Sequence, residues 1–283
     1  MKINFEVNEQ LIKETKVALT NLDSQFWGMY RGAYGIIWDE IDILWKVING
    51  ETVEQERFED AFENLCETLW HQMSFYEASY LAIPYMLKFL ELKIKEKDFD
   101  WQLRLFSEMG MIVAFDIPRN HYGKAVEQEL VDNYNKCVQV LAEFEKQFIM
   151  EYFDRIKELD WNEKSYFYTS ALAVLDDREA AFVLTSLMLN EFYVVCDACE
   201  EYNEGMPMIS DGEIEEIQPA EAVIGKWDGR SLDDTYVWFS NFLYLLGDEA
   251  AVNALSYYYG TYSCPECGKK SLVMNAAKKY FDM

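Results

Sequence analysis

Turn-forming residues are scarce in this chain, with 5 prolines and 13 glycines in 283 residues. That scarcity excludes collagen-like, Gly/Pro-rich disordered and turn-dense all-β chains, and it favours long helices. Basic side chains are also few: 25 Lys and Arg stand against 51 Asp and Glu, for a net charge of −26. A surface of that sign repels phosphate backbones, and no basic run exceeds Lys269-Lys270 or Lys278-Lys279. Direct binding of DNA or RNA is therefore not expected. Long apolar runs are missing as well. The most apolar stretch, YLAIPYMLKFL, carries Lys88 and is too short to span a bilayer. The start, MKINFEVNEQ, lacks the apolar core of a secretory signal. No membrane association and a cytoplasmic location are expected. Six cysteines are too few for a disulfide scaffold at this length, and paired cysteines in a reducing compartment point to metal or redox chemistry. Nucleophile elbow, phosphate-binding glycine loop, dinucleotide fingerprint and HExxH motif are all absent from the row.

What is present is core material: 51% of residues are hydrophobic and 16% aromatic, so disorder is not a sensible overall reading. From Thr52, Phe58, Ala61/Phe62, Leu65/Cys66 and Leu69/Trp70 recur at three-four spacing, which predicts an amphipathic helix. HQMSFYEASYLAIPYMLKFLEL is apolar on nearly every side, as a sandwiched helix would be, with Pro84 expected to begin, kink or break it. DWQLRLFSEMGMIVAF continues the pattern to Phe115, and DIPRNHYG reads as a turn. Lys124 to Leu159 keeps one apolar face and reads as one long helix or two with a slight break. Further helices are expected over Asn162–Leu175 and Arg178–Leu189, and one after Ser231, where Ser231 and Asp234 resemble a capping box and Gly247 offers a left-handed stop. Between about Phe192 and Gly229 the composition turns Gly-, Pro- and Glu-rich, which predicts short strands and a loop.

Two motifs carry chemistry. YVVCDACEEY holds Cys196 and Cys199; TYSCPECGKK holds Cys264 and Cys267. A two-residue spacer lets both sulfurs of a tight turn face one ion, and Gly268 permits the positive φ that closes such a knuckle. Two knuckles supply four soft thiolates, a set that suits zinc. Roughly sixty residues separate the pairs, more than in ordinary zinc fingers, so a shared site requires the capped helix to be inserted between them. Four thiolates leave no open position, so the expected zinc is structural. A thioredoxin-like redox pair, iron on the same thiolates, and two unconnected pairs remain as alternatives. Cys66 and Cys137 fall on apolar helical faces and read as core. Asp176/Asp177 and Asp233/Asp234 precede helices and read as caps.

The stretch LWHQMSFYEASYLAIPYMLKFLE resembles a motif of bacterial HEAT-repeat-like proteins, HQG-x-x-Y-x-A-[ST]-x-x-A-x-P-x-L. His71, Gln72, Tyr76, Ala78, Ser79, Ala82, Pro84 and Leu87 match it, with Met73 in place of its glycine. VVCDACEEY is similar to that family's middle CPHCG knuckle, with Asp197 for the proline and Glu200 for the glycine. YYYGTYSCPECGKK is similar to its terminal YGT-x-x-CP-x-CG. The resemblance covers three patches in the same order, and some relatives sit among toxin-immunity systems. It implies a mainly α fold, a HEAT-like helical array of solenoid or bundle kind, with a small β zinc-ribbon-like module. The corresponding division is an α-helical repeat-like domain over 1–190 and, over 191–283, C-terminal helices with a zinc-knuckle β insertion.

Two functions are expected from different classes. The favoured one is a non-catalytic protein-binding module, with structural zinc and an acidic surface that selects a basic partner, as an inhibitor or immunity-type protein would. The rival is an enzyme with a site near His71 and Glu77, with Gln72 and Tyr76 beside them.

Overall fold

The computed structural model describes residues 3–118, 125–188, 193–204, 208–210, 213–215, 223–225 and 234–281. His121 and Ser231 lie outside the described residues. The order is α1 (Glu9–Glu14), α2 (Phe26–Met29), α3 (Trp38–Ile48), α4 (Gln55–Leu69), α5 (Ser79–Glu96), α6 (Phe99–Phe115), α7 (Gln128–Lys157), α8 (Trp161–Leu175) and α9 (Arg178–Met188). Short strands follow: β1 (Tyr193–Val195), β2 (Tyr202–Glu204), β3 (Met208–Ser210), β4 (Glu213–Glu215) and β5 (Val223–Gly225). The chain returns to helix in α10 (Asp234–Leu246) and α11 (Glu249–Tyr258). It ends with β6 (Thr261–Ser263), β7 (Lys270–Leu272) and α12 (Val273–Phe281). The protein is mainly α-helical, and among the described residues no helix is long and apolar enough to cross a membrane.

Periodicity explains why α4 buries Phe58, Ala61, Phe62, Leu65, Cys66 and Leu69 while its charged residues face water. In α5 every residue from Ser79 to Leu87 is buried. Pro84 neither begins nor breaks the helix: it lies inside α5, whose first residue is Ser79. Burial on nearly all sides overrides the roughly 3 kcal/mol local cost of an interior proline. α7 settles the single-or-double question: the span is two helices joined at a kink at Tyr152 (φ −110°, ψ 19°). Asp160 and Glu163 form a full capping box at the start of α8. Gly247, at φ +84°, stops α10 as its position suggests.

α3 packs on α4 and α5, α5 on α6 and α7, α6 on α8 and α9, and α8 on α7 and α9. The N-terminal segment runs antiparallel along α7: the Phe5 N–H meets Met150 Sδ, Asn8 N–H donates to Glu143, and Asn133 exchanges two 2.9 Å hydrogen bonds with the Ala18 backbone. Between α6 and α8 the approach is so close that a Cβ on Gly110 would lie 2.0 Å from Ser170 Oγ, so only glycine fits there. Ser170 donates to the Phe106 carbonyl at 2.7 Å and lies 3.0 Å from Glu145 Oε1. Glu145 is fully buried in α7, its Oε2 has no partner among the described residues, and burial pushes it up to about 8.

One contiguous set of buried side chains runs from the helices into the C-terminal part, through Phe242, Leu246, Leu255, Tyr262, Val273 and Ala277. Lys164 and Tyr168 of α8 both bond Asp248, at the α10–α11 turn. The strands form three small antiparallel sheets, β1-β2, β3-β4 and β5-β6-β7.

Candidate metal centre

Each cysteine pair occupies the turn of a β-hairpin, and the two hairpins have the same register. Val195 pairs with Tyr202 around Cys196–Cys199, and Ser263 pairs with Lys270 around Cys264–Cys267. The backbone bonds match as well. Cys196 N–H donates to Glu201 O and Cys264 N–H to Lys269 O, both at 2.9 Å. Glu200 N–H returns to Cys196 O at 3.1 Å, and Gly268 N–H to Cys264 O at 3.0 Å. This closure needs a left-handed residue four places after the first cysteine, supplied at φ +61° by Glu200 and at φ +70° by Gly268. Glycine takes that conformation freely, whereas an L side chain is strained by about 1 kcal/mol. The first knuckle therefore folds in spite of its sequence, and the second because of it.

The four sulfurs lie within 4.8 Å of one another. Cys196 Sγ meets Cys267 Sγ at 3.6 Å, and Cys199 Sγ meets Cys264 Sγ at 3.6 Å. These are cross-knuckle contacts, each joining a buried cysteine to an exposed one. A disulfide would bring two sulfurs to about 2.05 Å. A tetrahedron with metal–sulfur bonds of about 2.3 Å has edges of about 3.8 Å, near the observed spacing. The residues thus fit a single soft cation. Lys279 of α12 donates to the Cys196 carbonyl at 3.0 Å, tying the last helix to the first knuckle.

Electrostatics point the same way. Desolvation opposes ionisation of Cys264, but the backbone N–H groups of Cys267 and Glu266 outweigh it and bring the thiol down to about 6. For Cys199 the Glu201 backbone favours the thiolate, yet desolvation and the other three sulfurs prevail and push it up to about 12. One thiolate forms readily and makes the next costlier. A divalent cation removes that conflict, because it stabilises all the thiolates together. By contrast Cys66 and Cys137 are buried, and burial raises both, Cys137 to about 12. Neither belongs to the cluster.

The residues near His71 form a different kind of place. The His71-Gln72-Met73-Ser74 turn holds two consecutive non-glycine residues at positive φ, Gln72 (+50°) and Met73 (+57°). Met73 thus holds a left-handed backbone without being glycine. Tyr34 OH lies 3.0 Å from His71 Nδ1, with the rings 5.0 Å apart. Tyr34 sits in a tight turn bridged between Gly32 and Gly35, which the Ala33 N–H anchors to the Thr68 carbonyl at 2.8 Å. Gln72 is exposed and Tyr76 half-buried; the Glu77 carboxylate acts electrostatically on Tyr30 and Tyr80. A cleft lies one residue away, bounded by Trp70 but by none of His71, Gln72, Tyr76 and Glu77. Its signal in the sequence is the polar set Arg104, Ser107 and Glu108 at i, i+3, i+4 within a largely apolar helix.

Compared with family models, curated proteins and solved structures, the chain matches none.

Proposed function

We propose that this chain is a non-catalytic protein-binding module, braced by structural zinc, whose acidic surface takes a basic partner. The observation that carries this reading is the segment from Met29 to Trp38. Four of the eight large hydrophobic side chains exposed among the described residues fall in it: Met29, Tyr34, Ile36 and Trp38. Exposed apolar groups concentrated in one short segment are the usual mark of an interaction surface. This segment is also held in shape, by the Thr68 carbonyl, by the His71 contact and by Trp38 Nε1–H on Leu22 O at 2.9 Å. A pre-shaped surface loses less entropy on binding. Asp39, exposed beside Trp38, and the net charge of −26 favour a cationic counterpart.

Three parts of this reading are supported by different observations. Successive helical pairs α3–α4, α5–α6 and α7–α8, with α5 also against α3 and α7 and α6 against α8, support an array of HEAT type. Zinc is the ion best suited to four thiolates near tetrahedral spacing, and a closed set of that kind leaves no place for water or substrate. Some of the HEAT-repeat-like proteins that the chain resembles sit among toxin-immunity systems, which suggests a basic toxin as the concrete partner. The rival, an enzyme around His71 and Glu77, needs a cavity joining them, and the cleft beside Trp70 is not that cavity.

The test is capture of a candidate basic toxin, or of a partner from lysate, by wild type and by Tyr34→Ala/Ile36→Asp. The reading predicts a stoichiometric complex that weakens as salt rises and weakens at least tenfold in the double variant. Salt-insensitive capture, or equal capture by both proteins, contradicts it.

A further inference from the structure

The last turn of α4 serves two places at once. Thr68 anchors the exposed segment, and two residues later Trp70 turns its indole into a cleft of ≈ 410 Å³ between α6 and α8. Leu103 and Met111 contribute apolar surface to this cleft. The Trp70 and Tyr166 rings, 6.2 Å apart and inclined at 57°, form an aromatic corner. Facing that corner is Glu108, which accepts the Trp70 Nε1–H at 2.8 Å. Burial lifts the Glu108 carboxyl above its ordinary range, and neither the indole N–H nor the charge of Arg104 cancels that effect. Arg104, one turn earlier on α6, places its guanidinium over the rings of Phe62 and Trp101, at 4.9 and 5.2 Å. Among the described residues no Lys or Arg nitrogen lies within 4.0 Å of the Glu108 carboxylate. At the rim, Glu163 is held in the capping box of α8 and adds a second acidic group.

We propose that this cleft is a socket for an organic cation, a guanidinium or ammonium group on an apolar stem. Its charge pairs with Glu108 and its stem lies in the corner of Trp70 and Tyr166. Arg104, which also lines the cleft, acts on the half-buried Glu108 through its charge without forming an ion pair with it, so a ligand that brings a cation to the carboxylate lowers the remaining cost of its burial. Aromatic faces beside the same point favour cations over anions. The surrounding field acts in the same sense, with acidic side chains outnumbering basic ones two to one. A pocket of this size, mostly apolar with a few converging polar groups, suits a small ligand or one inserted side chain. The inference rests on the basic-partner reading for one source of the cation, an arginine or lysine side chain. A free amine is the other source.

The experiment titrates agmatine, a guanidinium on a butyl stem ending in an ammonium, into the full-length metal-loaded protein. The readout is the Trp70 indole N–H resonance, assigned by Trp70→Phe. A saturable shift is expected, weakened at least tenfold in Glu108→Gln and several-fold in Tyr166→Leu. Glu59→Gln, at an exposed carboxylate on α4, leaves it unchanged. If Glu108→Gln also weakens capture of the partner, a side chain of that partner fills the socket; if capture is untouched, the socket serves a free amine. Failure of the partner reading leaves the agmatine result standing. No saturable shift, or equal affinities in Glu59→Gln and Glu108→Gln, overturns the socket, since agmatine would then sense only the protein's overall charge.

Discussion

From Trp38 to Leu175 the helical elements run 11 to 30 residues, the longest kinked at Tyr152, and α5 and α6 are buried along most of their length. From Tyr193 to Leu272 each described strand has three residues, arranged in sheets of two or three strands. Long amphipathic helices bury enough apolar area to hold one another. Three-residue hairpins bury little and are marginal by themselves in water. The second region has a device the first lacks, four cysteine sulfurs placed close enough together to hold one ion. The same contrast recurs inside the centre: one knuckle has glycine at its left-handed residue and the other has glutamate.

The largest effect expected from this contrast follows metal removal. Chelation, or Cys264→Ser, should release the ion and unfold the strand-bearing part, because structural zinc sites contribute on the order of 10 kcal/mol. Hydrogen exchange should show lost protection over 193–204 and 261–281 while α4 to α8 stay protected. Uniform loss across both regions would break the comparison. Next comes Phe106→Ala. Phe106 is fully buried, with its ring 4.9 Å from Phe148, and its truncation should cost about 3–5 kcal/mol in denaturant unfolding with metal content unchanged.

Glu145 gives a pH signature confined to the helical region. Its folded pKa, about 8, exceeds the ordinary 4.5, so the folded state keeps a proton the unfolded chain has released. Its contribution is complete below the ordinary value and is lost as pH rises through the folded one. Between them wild type should lose stability relative to Glu145→Gln by about 1.4 kcal/mol per pH unit. Parallel stability–pH curves for the two proteins would refute the assignment.

The smallest effects lie in the knuckles. Glu200→Gly should stabilise the first by about 0.5–1 kcal/mol, and Gly268→Ala should destabilise the second by about 1 kcal/mol, both read from thermal unfolding of the metal-bound protein. The Lys279–Glu200 pair at 3.9 Å is exposed on the Glu200 side and should offset little of that gain. Effects of equal sign would break the proposed equivalence of the two turns.

These expectations show which parts of the molecule were legible in its sequence. The stripe of α4 and the end of α10 at Gly247 could be read because spacing and turn chemistry act locally. The sulfur cluster could be read because a two-residue cysteine spacer has few other uses. Pro84 does not end its helix, since its local penalty is outweighed by packing that no single stretch displays. Glu145 was invisible: it stands between Glu143 and Lys146, which pair with each other at 2.8 Å, and nothing in that run marks one glutamate as buried. Glu200 gave no hint of its left-handed backbone, which the equivalent bonds of the two hairpins impose. The cleft was half-legible, through Arg104, Ser107 and Glu108; its aromatic corner joins Trp70 to Tyr166, ninety-six positions further along.

Elemental analysis of the purified, folded protein addresses the metal centre most directly. One zinc per chain, absent from folded Cys264→Ser or from chelated protein with a loosened C-terminal part, is the predicted result. Metal-free wild type whose C-terminal amides remain fully protected would contradict it.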